Sequence, residues 1–173
     1  MEERLERVRL FEFLTEEERE EFAEGSEIAV FEAGERIIEE GTDTDSLFVL
    51  TSGRVEVRKS LSAGRDRLLA IIDATDERTV VGERGLLGES RASATVLAAS
   101  RVEAIRIPRQ TFRRMVSEGR PAAFRLSYRI ARTLAQRLTR LDEEVVEAIR
   151  ELERKGETDL EAFRDRLVTD WAV

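Results

Sequence analysis

The chain has 173 residues, with 37 acidic and 29 basic side chains, a formal net charge of −8 and 41% apolar residues. This length suits one domain with a hydrophobic core and an appendage, and the apolar share is ordinary for a globular protein. Because the sequence contains neither cysteine nor histidine, disulfides, thiolate nucleophiles, triad-type catalysis and metal sites built on histidine or sulfur are excluded.

The beginning of the chain, MEERLERVRL, is too charged for a secretory signal,. No apolar run approaches the roughly 20 residues of a membrane helix. We therefore expect a cytoplasmic protein without membrane association. Acidic runs such as 16–21 are interpreted as solvated helix faces, so no catalytic residue, metal site or cofactor is predicted.

Residues 1–25 are predicted to be a helical segment. Thr15 and Glu18 fit a capping box at a helix start, and Gly25 is placed to end that helix,. An apolar stripe is expected to pack on the following segment, and it consists of Leu5, Val8, Phe11, Leu14 and Phe22.

Residues 26–107 are predicted to form a β domain. Short apolar alternations such as SEIAVF, SLFVL and RVEVRK are separated by turn signals,. Many short strands with closely spaced turns are typical of a sandwich or barrel. Gly34, Gly41 and Gly53 lie where sharp reversals would require a positive φ. The predicted fold class is mainly β with flanking helices (α+β).

Residues 108–155 are predicted to be helical. A short helix opens at Pro108 and ends near Gly119, and a long helix begins at Pro121,. The long helix carries a heptad seam within 124–152, formed by Phe124, Ser127, Ala131, Leu134, Leu138, Leu141, Val145, Ala148 and Leu152,. We expect this seam to form a coiled-coil homodimer; in the alternative, its first half packs on the β domain.

Gly156 is predicted to end the long helix, and residues 156–173 are predicted to form a short amphipathic helix. Thr158 and Glu161 fit a second capping box, followed by an apolar face of Leu160, Phe163, Leu167 and Trp171,. This face either folds back on the long helix or binds a protein partner through 158–171.

Residues 101–140 contain eleven arginines against two glutamates. A basic stretch of this kind can bind nucleic acid. However, few aromatic residues are interleaved with the arginines and the whole chain is acidic. We therefore interpret the stretch as a solvated helix face and do not expect nucleic-acid binding.

Three stretches resemble the cyclic-nucleotide-binding domain family, namely FEAGERIIEEGTDTDSLFVLTSGRVEV at 31–57, VVGERGLLGESRASATV at 80–96 and RVEAIRIPRQTF at 101–112. The ordered series of an aromatic residue, Ala-Gly-Glu, an apolar pair, Gly, and then Ser-Gly before a Val-rich strand is similar to that family. The resemblance covers roughly residues 8–140. It implies a jelly-roll-like β-roll followed by a long helix.

The resemblance also implies a phosphate-binding cassette at 82–95. Gly82 and Glu83 match the family's Gly-Glu, and Gly85 with Leu86 matches its short helix. The family's glutamate accepts a hydrogen bond from a ribose hydroxyl, and its arginine pairs with the phosphate. The cassette ends in small residues and a strand; the small residues here are Ala92 and Ser93, and the strand is matched by Ala94, Thr95 and Val96.

The sequence departs from the family at the phosphate arginine. The family spacing places that arginine at position 92, which is Ala92 here, whereas Arg91 stands one residue earlier. Within a strand, a shift of one residue turns the side chain to the opposite face. Two interpretations stay open: Arg91 reaches the ligand from its shifted position, or it is a surface arginine and the cassette lacks its main cation.

The sequence thus predicts a non-enzymatic regulatory module that binds a cyclic nucleotide (cAMP or cGMP) or a related phosphate ligand and transmits its state through the C-terminal helices. The alternative is a dimeric scaffold that binds a protein partner and has a degenerate, ligand-free pocket.

Overall fold

The computed structural model describes residues 8, 11–61, 65–75, 79–88 and 91–155. Within them the helices are α1 (Glu16–Glu24), α2 (Glu83–Leu87), α3 (Arg109–Ser117) and α4 (Pro121–Lys155). The strands are β1 (Glu27–Phe31), β2 (Arg36–Ile38), β3 (Ser46–Ser52), β4 (Arg54–Leu61), β5 (Arg65–Asp73), β6 (Val80–Val81), β7 (Thr95–Ala98) and β8 (Val102–Pro108). The predicted fold class, mainly β with flanking helices, is confirmed.

The described strands form two four-stranded antiparallel sheets. The first sheet has the order β1-β8-β3-β6 and the second has the order β2-β7-β4-β5. Since consecutive strands alternate between the sheets at several points, the two sheets enclose one apolar interior, as a roll requires. The buried side chains of this interior are Ile38, Phe48, Leu50, Val55, Ile72, Val81, Val96, Ala98, Val102 and Ala104.

The helix α1 begins after Thr15 and ends at Gly25, as the capping residues predict, while residues 11–14 of the predicted helical segment form turns. Thr15 and Glu18 form both hydrogen bonds of the capping box, and Gly25 is the C-cap. Phe11 and Phe22 are fully buried, with ring centroids 5.8 Å apart. The predicted stripe is confirmed for its described members, while residues 1–7, 9 and 10, with Leu5, lie outside the described part.

The predicted reversals in the roll are confirmed by positive φ values of 89°, 79° and 84° at Gly34, Gly41 and Gly53. At Gly53 a Cβ would also overlap the backbone carbonyl of Arg101. The turn between β3 and β4 therefore requires glycine both for its conformation and for its close approach to the chain before β8.

The C-terminal helices follow the predicted boundaries where they are described. Pro108 is the N-cap of α3, Gly119 has φ +71°, and α4 begins at Pro121. The first turns of α4 bury Ala122, Ala123, Leu126 and Ile130.

Phe124 of the predicted seam is 54% exposed. At this position a neighbouring stripe of the helix is buried instead. The coiled-coil seam and its alternative, in which the first half of the seam packs on the β domain, both stay predictions. The predicted helix at 156–173 lies outside the described residues.

The chain divides into two compact units, Met1–Ile130 and Ala131–Val173. In the second unit, Leu138 and Leu141 are more than half exposed. None of the helices in the described ranges is long and apolar enough to span a membrane.

Candidate ligand-binding cassette

Gly82 begins the predicted cassette where β6 ends. β6 pairs with β3 through Val81 and Phe48, which brings the next residue over the start of β3. Gly82 is the N-cap of α2 with φ +88°, and a Cβ on it would lie 2.5 Å from the carbonyl oxygen of Ser46. Because a side chain is unfavourable in the left-handed region and has no room here, this position requires glycine.

The short helix α2 packs against the turn between β2 and β3. A Cβ on Gly85 would overlap the carbonyl oxygen of Thr44, so the missing side chain allows the helix to approach the turn closely. Glu83 and Leu86 are buried, and Glu83 is only 7% exposed. A carboxylate in the first turn of a helix is stabilised by the unpaired N–H groups there.

Arg91 and Ala92 lie beside the turn that follows β2. The Ala92 N–H donates to the carbonyl of Thr42 over 2.8 Å, and the carbonyl of Ala92 accepts from the Gly41 N–H over 2.9 Å. Arg91 pairs with Asp43 in an isolated antiparallel bridge. Ala92 packs against the apolar interior of the roll, whereas Arg91 is exposed. Neighbouring residues of an extended chain point to opposite faces, so position 92 faces inward and the arginine faces solvent.

Ser93 and Thr95 are held by residues outside the cassette. Thr95 Oγ1 accepts a hydrogen bond from the Glu40 N–H at 3.1 Å, and the Ser93 carbonyl accepts one from Lys59 Nζ at 2.6 Å. Lys59 also pairs with the Glu40 carboxylate at 2.6 Å. This contact, together with the N–H of Ser60, lowers the pKa of Glu40. The strand that closes the cassette is thereby joined to β4 and to the turn after β2.

Arg109 connects the cassette to the helices that follow the roll. Its guanidinium donates to the carbonyl oxygen of Thr44 and to the carboxylate of Asp43, the latter at 3.1 Å. Its backbone N–H donates to the carbonyl of Asp45 at 2.6 Å, and its side chain is only 12% exposed. Because Thr44 also contacts Gly85, one turn links α2 to the first residue of α3.

A sequence model of the family described as "Cyclic nucleotide-binding domain" matches residues 28–118, which is more than half of the chain. The chain belongs to the cyclic nucleotide-binding domain family. The match extends from β1 to the residue after α3, and it therefore contains both sheets and the complete cassette.

Relatives of this cyclic nucleotide-binding domain include a protein kinase and a transcriptional regulator. It is 28% identical over 116 residues to the cGMP-dependent protein kinase egl-4 of Caenorhabditis elegans, covering 66% of this chain and 14% of that protein. It is 26% identical over 119 residues to the CRP-like cAMP-activated global transcriptional regulator of Mycobacterium tuberculosis, covering 69% and 50%. The chain thus spans half or less of the length of these curated relatives.

The fold of the domain is shared with solved structures. The catabolite activator protein of Thermus thermophilus superposes with a TM-score of 0.69 at 23% sequence identity, covering 85% of this chain and 71% of that chain. A similarity at this identity shows the common β-roll with its flanking helices.

The structure brings both halves of the predicted cassette to one turn, which lies between β2 and β3. The segment 82–86 contacts it through Gly85, and the segment 91–95 is hydrogen-bonded to it through Ala92. Lys59 and Arg109, which hold this arrangement, were missed by sequence reasoning. Each bonds to residues 34 or 65 positions away in the chain, and no local motif indicates such a contact.

Acidic side chains in the part of the domain that the structure describes do not converge on a metal-binding geometry. Across the described ranges, no group of three or more aspartates and glutamates is arranged to hold a metal ion. The described residues of the cassette supply hydrogen-bonding groups and a buried carboxylate, which are the kinds of group that orient polar ligands in binding sites.

Proposed function

We propose that this domain is a non-enzymatic sensor whose cassette at 82–95 binds cAMP, cGMP or a related phosphate ligand. The observation that best supports this proposal is the close packing of α2. Because Gly82 and Gly85 have no side chains, α2 lies directly against the backbone of Ser46 and Thr44, and this contact holds α2 in a defined position before any ligand binds. Preorganisation of this kind lowers the cost of ordering a binding site. Glu83 is the proposed acceptor for a ribose hydroxyl.

The bound state is proposed to reach α4 through contacts within the first unit. α2 packs against α3, and Arg109 ties the start of α3 to the turn under α2. Near the start of α4, Arg125 pairs with Glu18 of α1 at 3.2 Å, and Arg129 lies over the ring of Phe13 at 5.3 Å from its centroid. The hydroxyl of Thr111 in α3 donates to the carbonyl of Gly25 at the end of α1 over 3.0 Å. A shift of α2 would therefore be transmitted to α3 and through α1 to the α1–α4 contact.

We expect Glu83→Gln to weaken cyclic-nucleotide binding by about tenfold or more. A hydrogen bond to a charged group contributes roughly 1.5–3 kcal/mol, and about 1.4 kcal/mol corresponds to a factor of ten. Isothermal titration calorimetry with cAMP and cGMP measures the change. The control is Glu32→Gln, which removes the same charge from an exposed turn and should leave the affinity unchanged.

Absence of any binding of cAMP, cGMP and cyclic dinucleotides at millimolar concentration would contradict the proposed function. Equal affinities of the Glu83 and Glu32 variants would contradict only the role assigned to the Glu83 carboxylate.

A homodimer through the seam at 124–152 is part of the proposal. Leu138 and Leu141 are 58% and 56% exposed on a continuous helix, and heptad-spaced apolar residues stabilise coiled coils by mutual burial. We expect Leu138→Asp to convert the dimer to a monomer in sedimentation velocity runs. Val146→Asp is the matched control, because Val146 is an exposed apolar residue of α4 outside the seam. The proposed dimer seam would be contradicted if the protein with Leu138→Asp stayed dimeric, or if Leu138→Asp and Val146→Asp removed the dimer to the same extent.

The second candidate function is a dimeric scaffold with an empty cassette, and the inward position of Ala92 favours it. In this case the segment 158–171, which lies outside the described residues, is the proposed surface for a protein partner. Truncation after Lys155 distinguishes the candidates, since a scaffold would lose its partner in pull-down experiments and a sensor would keep its nucleotide affinity.

A further inference from the structure

The side of the cassette that faces the interior of the roll carries no cation among the residues that the structure describes. Arg84 and Arg91 are exposed, whereas position 92, which packs against the apolar interior, is an alanine. A phosphate ligand is an anion, and charge-assisted hydrogen bonds to a phosphate are stronger than neutral ones. A cation for a ligand on this side would therefore come from a residue outside the cassette.

Lys59 of β4 lies on the same side of the roll as Ala92. Side chains two residues apart in a strand share a face, and Val55 and Val57, which precede Lys59 in β4, contribute to the apolar interior. β4 pairs with β7 through Val57 and Val96 without a shift of register, so the alternation continues to Lys59. The side chain of Lys59 therefore starts from the inner face of the strand.

The ammonium group of Lys59 lies beside position 92. Its Nζ donates to the carbonyl oxygen of Ser93 at 2.6 Å. Ser93 directly follows Ala92 in the chain, and consecutive Cα atoms are about 3.8 Å apart. The Lys59 side chain is 40% exposed, so a dissolved ligand can reach it. A positive charge is therefore present next to the residue at which the cassette lacks one.

Glu40 contacts the same ammonium group. The Lys59 Nζ lies 2.6 Å from one oxygen of the Glu40 carboxylate, and the Ser60 N–H donates to the other oxygen at 2.8 Å. An ammonium group has three N–H donors, and its contacts with Ser93 and Glu40 engage two of them. The remaining donor can bind a phosphate oxygen, and a phosphate can also displace the carboxylate, because both groups are anionic acceptors.

We propose that Lys59 supplies the cation that binds the phosphate of a cassette ligand, in place of a basic side chain at position 92. The ammonium group donates to a phosphate oxygen while it keeps its hydrogen bond to the Ser93 carbonyl, and the phosphate replaces the Glu40 carboxylate. This inference rests on the proposed function, because it names the residue that recognises the phosphate. A cassette with alanine at position 92 can then still bind an anionic ligand.

The test is a titration of the full chain, followed by NMR of the backbone amides, with cAMP or cGMP and with the corresponding nucleoside, which lacks the phosphate. We expect Lys59→Met to weaken cyclic-nucleotide binding roughly tenfold, as the loss of one hydrogen bond between charged groups predicts, and to leave nucleoside binding unchanged. Lys59→Arg keeps the charge and should keep most of the affinity.

The matched control is Arg58→Met, which removes the same charge from the neighbouring residue of β4. Arg58 points to the opposite face of the strand and pairs with Glu56 at 2.6 Å, so this change should leave cyclic-nucleotide binding unaltered. Glu40→Gln should strengthen that binding several-fold. Glutamine still accepts from the Ser60 N–H, but it carries no charge that competes with the phosphate for Lys59.

Three results would overturn the role of Lys59 and leave the proposed function intact. They are unchanged cyclic-nucleotide binding with Lys59→Met, an equal loss of nucleotide and nucleoside binding, and an equal loss with Arg58→Met. A chain that binds no cyclic nucleotide would instead contradict the proposed function, and the role of Lys59 with it. Thermal unfolding identifies a Lys59→Met protein that does not fold. Glu40→Gln then decides alone, since stronger binding supports the inference and unchanged or weaker binding overturns it.

Discussion

Replacing Ala92 by arginine is expected to raise the affinity for cAMP or cGMP by roughly ten- to a hundredfold. Ala92 packs toward the interior of the roll, so its side chain starts from the face on which a ligand of the cassette would lie. A charge-assisted hydrogen bond to phosphate contributes roughly 1.5–3 kcal/mol, which corresponds to this range of affinities. Arginine is suited to the role because its planar guanidinium engages two phosphate oxygens at once.

Calorimetry of three variants tests the Ala92→Arg prediction. Ala92→Met adds similar length without charge and should not raise the affinity. Arg91→Ala should leave it unchanged, since Arg91 is exposed and points to the opposite side of the extended segment from Ala92,. A large loss of affinity with Arg91→Ala would show that this arginine reaches the ligand from its shifted position. An unchanged affinity with Ala92→Arg would mean that no phosphate lies beside position 92.

Gly85→Ala is expected to destabilise the domain by about 1–3 kcal/mol and to abolish most of the cyclic-nucleotide binding. The added methyl group would overlap the carbonyl oxygen of Thr44, and a backbone atom cannot move aside as a flexible side chain can. α2 must then shift away from the turn, with the cost of an overpacked contact. Urea denaturation measures the stability, and the same nucleotide titration measures the binding.

Gly88→Ala is the matched control for this prediction. Gly88 lies at the other end of the same short helix, has φ −146°, and would place its Cβ 3.8 Å from the nearest atom, the carbonyl oxygen of Arg84. This is ordinary van der Waals contact, so we expect a change within about 0.5 kcal/mol. Equal effects of the two substitutions would contradict the role assigned to the Gly85–Thr44 contact.

Much of the fold could be predicted because its signals are local. The capping box at Thr15 and Glu18, the positive φ at Gly53 and the helix start at Pro121 each depend on a few neighbouring residues. The change from strand-like alternation to helical spacing near Pro108 is equally local. The cassette at 82–95 is predicted in a different way, from the resemblance of its glycines and small residues to the family.

What the sequence alone determined is therefore the succession of elements and, through the family resemblance, the β-roll class; it also predicts a cassette at 82–95. Only the tertiary structure decided which side chains face inward. The pairing of the segment at 91–92 with the turn at 41–43 directs Ala92 to the interior and Arg91 to solvent. Likewise, packing in the first unit selected Leu126 and Ile130 for burial and left Phe124 exposed. Both outcomes depend on contacts between distant segments. A shift of one residue in the register of such a contact turns a side chain to the opposite face, and local sequence patterns do not specify that register.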